Sequence, residues 1–151
     1  MIFNNKEYKI IIEGNVLELF ETFKQTGRKH ERGGILLGEV SKAEIRIKKA
    51  SIPTMFDSGS RFRFNRHKKS AQLFTDYEFY NSQGTIIYLG EWHTHPESIP
   101  SPSNIDIKMI ATQFKKNKIN ESFLLMIIVG IKGIYLGYYD GKNLKQLKNE
   151  Q

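Results

Sequence analysis

The chain has no cysteine among its 151 residues. That excludes a disulfide framework and every thiolate chemistry, so any metal it holds must sit on nitrogen and oxygen. Long apolar runs are also missing. The longest, FLLMIIVG from Phe123, is the length of one strand, far below the roughly 18 residues of a membrane helix. The opening MIFNNKEYK lacks the apolar region of a signal peptide. The expected setting is the bacterial cytoplasm, with no membrane contact. Proline is scarce, 4 residues in all, yet Pro96, Pro100 and Pro102 crowd into one stretch.

What is present is globular in character. Hydrophobic residues are 39% and charged residues 26%, which excludes a disordered chain. The length fits a single domain over residues 1–151, ending in a polar tail from residue 141. A net charge of +7 admits nucleic acid or an acidic protein as partner. The basic residues are scattered: Lys42, Arg46, Lys48 and Lys49, then Arg61, Arg63, Arg66, Lys68 and Lys69, then Lys115, Lys116 and Lys118. No long single-sign block and no nucleic-acid motif accompanies them, so they read as a solvated surface rather than a nucleic-acid site.

Hydrophobic periodicity alternates between the two regular types. EYKIIIE (Glu7–Glu13) reads as a strand, and Val16, Leu19, Phe20 and Phe23 recur at helical spacing up to Gly27. GGILLGEV (Gly33–Val40) is an apolar strand of the buried kind. AEIRIKKA (Ala43–Ala50) alternates as an edge or half-exposed strand does, and SRFRFN (Ser60–Asn65) alternates again after a loop from Pro53. Leu73, Phe74, Tyr77 and Tyr80 mark a second helix within residues 66–82, followed by the strand TIIYLGEW (Thr85–Trp92). A third helix opens at Ser103 and carries Asp106, Ile107, Ile110 and Phe114 on one face. SFLLMIIVG and GIYLGYYD close as a strand pair, and the polar tail GKNLKQLKNEQ is expected to fray. The sum is a mixed α/β fold, a sheet of about six or seven strands with about three helices.

The chemistry gathers in GEWHTHPESIPSPSNID, residues 90–106. His93 and His95 follow a strand, and residues i and i+2 of an extended chain face the same side, so the imidazoles can converge. Pro96 stops the strand and keeps the chain before it extended. Ser103 and Asp106 lie three apart on one helical face. Asp106 is also one turn before Ile110, on the inward side, where an unpartnered carboxylate is costly. A metal ion on His93, His95 and Asp106 would partner it. Three protein ligands with one position open is the pattern of a catalytic rather than a structural zinc. Such a site needs a general base, and HERGGILLG offers Glu31, whose neighbours Gly33 and Gly34 allow close backbone approach. Singly, each residue has a plainer role: surface imidazoles, a dipole charge at Asp106, a cap at Ser103, a solvated carboxylate at Glu31. Their joint order and spacing favour the site.

ERGGILLG, then HTHP, six residues and SNID, resembles the JAMM/MPN-plus (JAB-domain) zinc metalloproteases. Their pattern is a glutamate before a Gly-rich apolar strand, then His-x-His-Pro, six residues and Ser-x-x-Asp. The resemblance implies a cytidine-deaminase-like α/β fold, Zn(2+) on His93, His95 and Asp106, and Glu31 as general base and acid. It also implies Ser103 as hydrogen-bond donor to the substrate carbonyl oxygen. The longer context, ERGGILLGEV through SGSRFRF to YLGEWHTHPESIPSPSNID, is similar to the bacterial branch found beside ubiquitin-transfer-like enzymes in anti-phage CBASS operons. That branch implies a deubiquitinase-like isopeptidase. Its substrate would be a protein with an extended C-terminal tail, a ubiquitin-like modifier or CD-NTase-type nucleotidyltransferase, joined to a partner amine. A sulfur-carrier-protein peptidase of the same family is the alternative.

Other residues near this set have two readings each. Glu91 shares the parity of His93 and either orients a ligand or is an exposed residue before the turn. Trp92 faces the other way, towards core packing. Phe62 and Phe64, with Met55 and Phe56, either line a groove for a substrate tail or pack in the core. The exposed edge of AEIRIKKA or SRFRFN could take such a tail by strand addition. His30 and His67 read as surface residues. Three rival functions are weaker. A zinc nucleobase deaminase needs His-x-Glu with Pro-Cys-x-x-Cys, which a cysteine-free chain lacks. A non-catalytic MPN scaffold has no use for an intact ligand set. A nucleic-acid-binding module would rest on charge alone.

Overall fold

The structure, a computed structural model, describes residues 1–117, 119 and 121–150; Lys118, Asn120 and Gln151 lie outside the described residues. The elements run β1 (Ile2–Asn4), β2 (Lys9–Ile12), α1 (Gly14–Phe23), β3 (Gly33–Val40), β4 (Glu44–Ala50), β5 (Ser58–Ser60) and β6 (Arg63–Asn65). They continue with α2 (Lys68–Asn81), β7 (Ile87–Thr94), α3 (Asn104–Lys116), β8 (Leu124–Val129), β9 (Ile134–Tyr139), β10 (Leu144–Gln146) and β11 (Lys148–Glu150).

The apolar run Gly33–Val40 becomes the middle strand of a nine-stranded mixed sheet, ordered β10-β9-β8-β7-β3-β4-β2-β1-β11. Both its faces are covered, as its unbroken hydrophobicity requires. Alternation on β8 shows the layering. Leu125, Ile127 and Val129 face α1, where Val16 and Phe20 are buried among Ile10, Ile45 and Trp92. Leu124, Met126 and Ile128 face α3 through Ile110. On that same outer side Ala71 and Phe74 of α2 cover Ile35 and Leu37. Leu73, Tyr77 and Tyr80, which mark α2 in the sequence, are exposed instead.

Four expectations change. The sheet has nine strands among the described residues, rather than six or seven, because β1, β10 and β11 are three residues each, too short to show a period. The tail does not fray. β10 pairs with β9 at one edge and β11 with β1 at the other, while buried Leu147 between them donates its N–H to Leu136 O at 2.9 Å. One segment thus spans both edges of a curled sheet. AEIRIKKA alternates as a half-exposed strand but is not at an edge, since β4 pairs with β2 on one side and β3 on the other. SRFRFN is not one strand either; it holds the end of β5, a turn and all of β6, whose hairpin forms a separate two-stranded sheet.

The β3–β7 register carries a shift that positions the site. Leu36 opposes Gly90 but Leu37 opposes Tyr88, so Leu89 is an extra residue, a β-bulge. Gly90 has φ +150°, and a Cβ there would lie 1.9 Å from Leu125 O, so only glycine fits. Past the bulge the parity changes. Ile87, Leu89 and Trp92 all face the α1 core, while Tyr88, Glu91 and His93 share the outer face.

Candidate active site

The strand β7 delivers His93, and His95 follows it directly. Thr94 between them points the opposite way, as extended geometry demands. Its Oγ donates to Gln25 Oε1 (3.1 Å) and accepts from Arg32 N–H (3.0 Å), which pins the chain beside Glu31 to β7. Close approach is possible because Gly33 lies against this strand; a Cβ there would meet Trp92 O at 2.3 Å. Glu31 N–H donates to Ser60 O at 2.7 Å, which ties the β5–β6 hairpin to the site.

α3 brings the remaining groups. Ser103 is its N-cap: Ser103 Oγ accepts from Asp106 N–H (3.1 Å), and Ser103 N–H donates to Asp106 Oδ2 (2.8 Å), a reciprocal capping box. The Ser103 hydroxyl proton is left for another partner. Asp106 is buried and turned to the histidines. Its Oδ1 is 3.1 Å from His93 Nε2 and its Oδ2 3.2 Å from His95 Nε2, while the two Nε2 atoms are 3.2 Å apart. His93 Nδ1 is buried without a hydrogen-bond partner among the described residues, so Nε2 carries its polar contacts. Glu31, also buried, offers a carboxylate oxygen within 4.8 Å of both imidazoles, a cluster that could hold a metal ion.

The electrostatics follow from this crowding. Burial pushes Glu31 up to about 7, opposed by His95 and helped by the Asp106 charge. Burial alone would raise Asp106, but hydrogen bonds and charge from the histidines, with the Ser103 N–H, hold it well below the carboxylate range. Burial alone would lower His95, but the Asp106 hydrogen bond and charge, with Glu31 and Glu97, hold it above the ordinary imidazole value.

Glu31, His93, Ser103 and Asp106 line one groove of about 530 Å³, together with Phe62 and Phe64. Both phenylalanines therefore face the groove rather than the core, and Phe62 is exposed, as are Met55 and Phe56. Glu91 neither touches a histidine nor faces solvent. It is buried and paired with Arg66 Nε (2.8 and 3.1 Å) and Tyr88 Oη (2.8 Å). Burial raises its pKa, against the pull of Arg66. Trp92 is in the core, its ring 5.1 Å from Phe20 and its Nε1 donating to Ser51 O. His30 is exposed, but His67 caps α2, its Nδ1 accepting from Ser70 N–H. Sequence reasoning missed Arg66, Thr94 and Gln25. Only Thr94 carried a signal, its opposite parity between two histidines.

Fold and site together define a class: a mixed α/β domain that buries two imidazoles and two carboxylates where a strand end meets a helix start, the layout of a hydrolytic enzyme. Comparison with known proteins narrows it. The family model for prokaryotic homologs of the JAB domain matches residues 15–137, and the chain belongs to that family. A protein named CD-NTase/cGAS isopeptidase from Escherichia coli (strain TW11681) is 34% identical over 147 residues, 93% of this chain and 88% of that protein. Proteins of the same name from Pseudomonas aeruginosa (strain BWHPSA011 / Pa011) and Vibrio cholerae serotype O1 are 34% and 33% identical. They cover 80% and 85% of this chain and 78% and 80% of their own length. Protein DSY2949 from Desulfitobacterium hafniense, solved in solution, matches in fold with a TM-score of 0.63 over 91% of this chain and 88% of that one, at 14% identity. The family and its isopeptidase members make the chain a hydrolase.

Proposed function

We propose that the chain is a zinc-dependent isopeptidase that cuts the bond between the C-terminal residue of a CD-NTase-type protein and the amine of a conjugated partner, in anti-phage defence. The observation that carries this is the triangle of His93 Nε2, His95 Nε2 and the Asp106 carboxylate, with Glu31 beside it. His93 Nε2 lies 3.1 Å from Asp106 Oδ1, His95 Nε2 3.2 Å from Asp106 Oδ2, and the two Nε2 atoms 3.2 Å apart, spacings close to the roughly 3.3–3.4 Å between ligands of a tetrahedral zinc with bonds of about 2.0–2.1 Å. Nitrogen and carboxylate donors suit that ion, and a cation offsets the buried Asp106 charge. Held there, zinc supplies Lewis acidity towards a carbonyl oxygen and lowers the pKa of a water.

The chain's own residues supply the proton traffic. Glu31, buried beside the two imidazoles, can take a proton from the attacking water and pass it to the leaving amine. The Ser103 hydroxyl, its lone pair engaged by Asp106 N–H, can donate to the developing oxyanion. No covalent intermediate is required, which suits a chain without cysteine. The substrate tail adds to β6, which among the described residues pairs only with β5, whereas β4 is paired on both sides. A reducing cytoplasm is the setting we assign to it.

The test is twofold. Protein purified without chelators should carry stoichiometric zinc and release fusions joined through a CD-NTase-type C-terminal tail. Folded protein that never takes up zinc sinks the reading, and cleavage confined to sulfur-carrier tails selects the other branch.

A further inference from the structure

The groove around the site is basic beyond what the site needs. Arg63 of β6, Lys68 in the first turn of α2, and Lys108 and Lys116 of α3 line it. All four are exposed, and none forms an ion pair with a described residue. The acidic groups in the same lining are engaged: Glu91 by Arg66, Asp106 by the two histidines, which leaves Glu31. Lys68 gains nothing from its helix either, because a cation at that end opposes the dipole. Uncompensated cations lining a cleft raise its potential and favour an anionic ligand.

Two of the four mark a place. Lys68 and Lys116 also line a narrower cavity of about 310 Å³, reached between α2 and α3 and shared with Arg66 and Asn117. They stand on different helices where the groove leads into this cavity. From Asp106 to Lys116 the helix climbs about 15 Å, at 1.5 Å per residue. An extended peptide covers that distance in four to five residues, at about 3.3 Å each.

Resting on the isopeptidase reading above, we propose that this groove selects an acidic C-terminal tail, with Asp or Glu four or five residues before the scissile bond, held between Lys68 and Lys116. The acid belongs to the acyl side because only that side of an isopeptide continues as extended main chain; the other is a lysine side chain on a partner. A peptide rather than a nucleic acid is favoured because the same groove is walled by Phe62, Phe64 and the one-sided strand β6, which present a backbone edge.

The test uses the full-length, zinc-loaded protein and fluorescent peptides of about ten residues ending in a cleavable amide. Glu, Ser or Lys occupies the fourth and fifth positions before that amide. The Glu peptide should exceed the Lys peptide about tenfold in kcat/KM, mostly through KM, with the gap closing at high salt. The double variant Lys68→Glu/Lys116→Glu, both exposed positions, should reverse the order. Equal rates for the three peptides, or an unreversed order in the double variant, overturn the inference and leave the hydrolase reading in place. Fluorescence anisotropy with Glu31→Gln separates the two claims: tighter binding of the Glu peptide with no cleavage by the unmodified protein upholds the inference while the hydrolase reading fails. Tighter binding of an oligodeoxynucleotide of equal charge than of the Glu peptide overturns it.

Discussion

Tyr88 Oη donates to Glu91 Oε1 over 2.8 Å, although the two are three positions apart in β7 and a regular strand would turn them to opposite faces. The extra residue at Leu89, beside Gly90, brings them to one side. The same shift lets Trp92 fill the core against Phe20 and Phe23 while His93 meets Asp106 on the outer face. A strand that starts by feeding the core therefore ends by feeding the site.

The bulge can be removed with one methyl group. A Cβ at Gly90 would meet Leu125 O at 1.9 Å at φ +150°, so Gly90→Ala must move β7 against β8. The expected cost is about 2–4 kcal/mol, in the range of overpacking and backbone-strain changes, with zinc retention and hydrolysis lost together. Gly14→Ala, where a Cβ meets nothing within 4 Å, is the matched control. Thermal melts and zinc content read the result. A Gly90→Ala protein that melts and binds zinc like the parent removes the bulge from the account of the site.

Metal holding and proton transfer should separate by residue. His95→Ala deletes one donor of the triangle and should lose zinc on gel filtration. Glu31→Gln leaves the triangle whole, so it should keep zinc and lose roughly 10²–10⁴-fold in kcat, the usual worth of general acid–base catalysis. Metal analysis and a cleavage assay on the same preparations decide. Full zinc in His95→Ala, or an undiminished rate in Glu31→Gln, contradicts the assignment of roles.

Glu31 also makes a prediction about the metal-free protein. Its pKa rises from an unfolded value near 4.5 to about 7 in the fold. Between those values the folded state binds the extra proton, so this group's contribution to stability is complete below pH 4.5 and is lost as pH climbs through 7. Glu31→Gln has no such proton to lose. The metal-free variant should therefore gain on the parent as pH rises from 4.5 to 8, by on the order of 2–3 kcal/mol. Urea denaturation at several pH values measures the gap, and a gap that stays constant with pH shows that Glu31 is not the buried, proton-holding group described here. Added zinc should close it, because a nearby cation favours the charged carboxylate.

The parts of this site that were legible in the sequence are those governed by short-range geometry. His93 and His95 share a side through strand parity, and Ser103 and Asp106 share one through helical spacing. Tertiary partners were not legible. Arg66 sits in a basic stretch and reads as surface, yet its partner Glu91 lies 25 residues on. The strand-interior Gly90 signals a close approach but does not say that the parity of β7 changes there. β10 and β11 come from a polar segment without alternation, because each is three residues long and pairs an edge, with Leu147 buried and Leu144 half-buried against the core. In SRFRFN the alternation runs straight through a turn, so pattern alone merges the hairpin into one strand.

Arg66 joins three elements around the groove. Its Nε donates to both Glu91 oxygens on β7, and its Nη2 donates to Gln113 Oε1 on α3 at 3.1 Å, from a position just ahead of α2. Both side chains of the ion pair are largely buried, at 15% and 6% exposure, so the pair should behave as an interior one. Arg66→Ala then leaves a carboxylate in a desolvated place with only Tyr88 as partner, at a cost of about 3–5 kcal/mol. Glu91→Leu on that background removes the stranded charge and should recover much of the loss. The single variant should also recover as pH falls, since burial already raises the Glu91 pKa and protonation relieves it. A double-mutant cycle by urea denaturation gives the coupling, expected above about 1 kcal/mol. Strictly additive variants would mean that the pair is not what holds β7, α2 and α3 together around the groove.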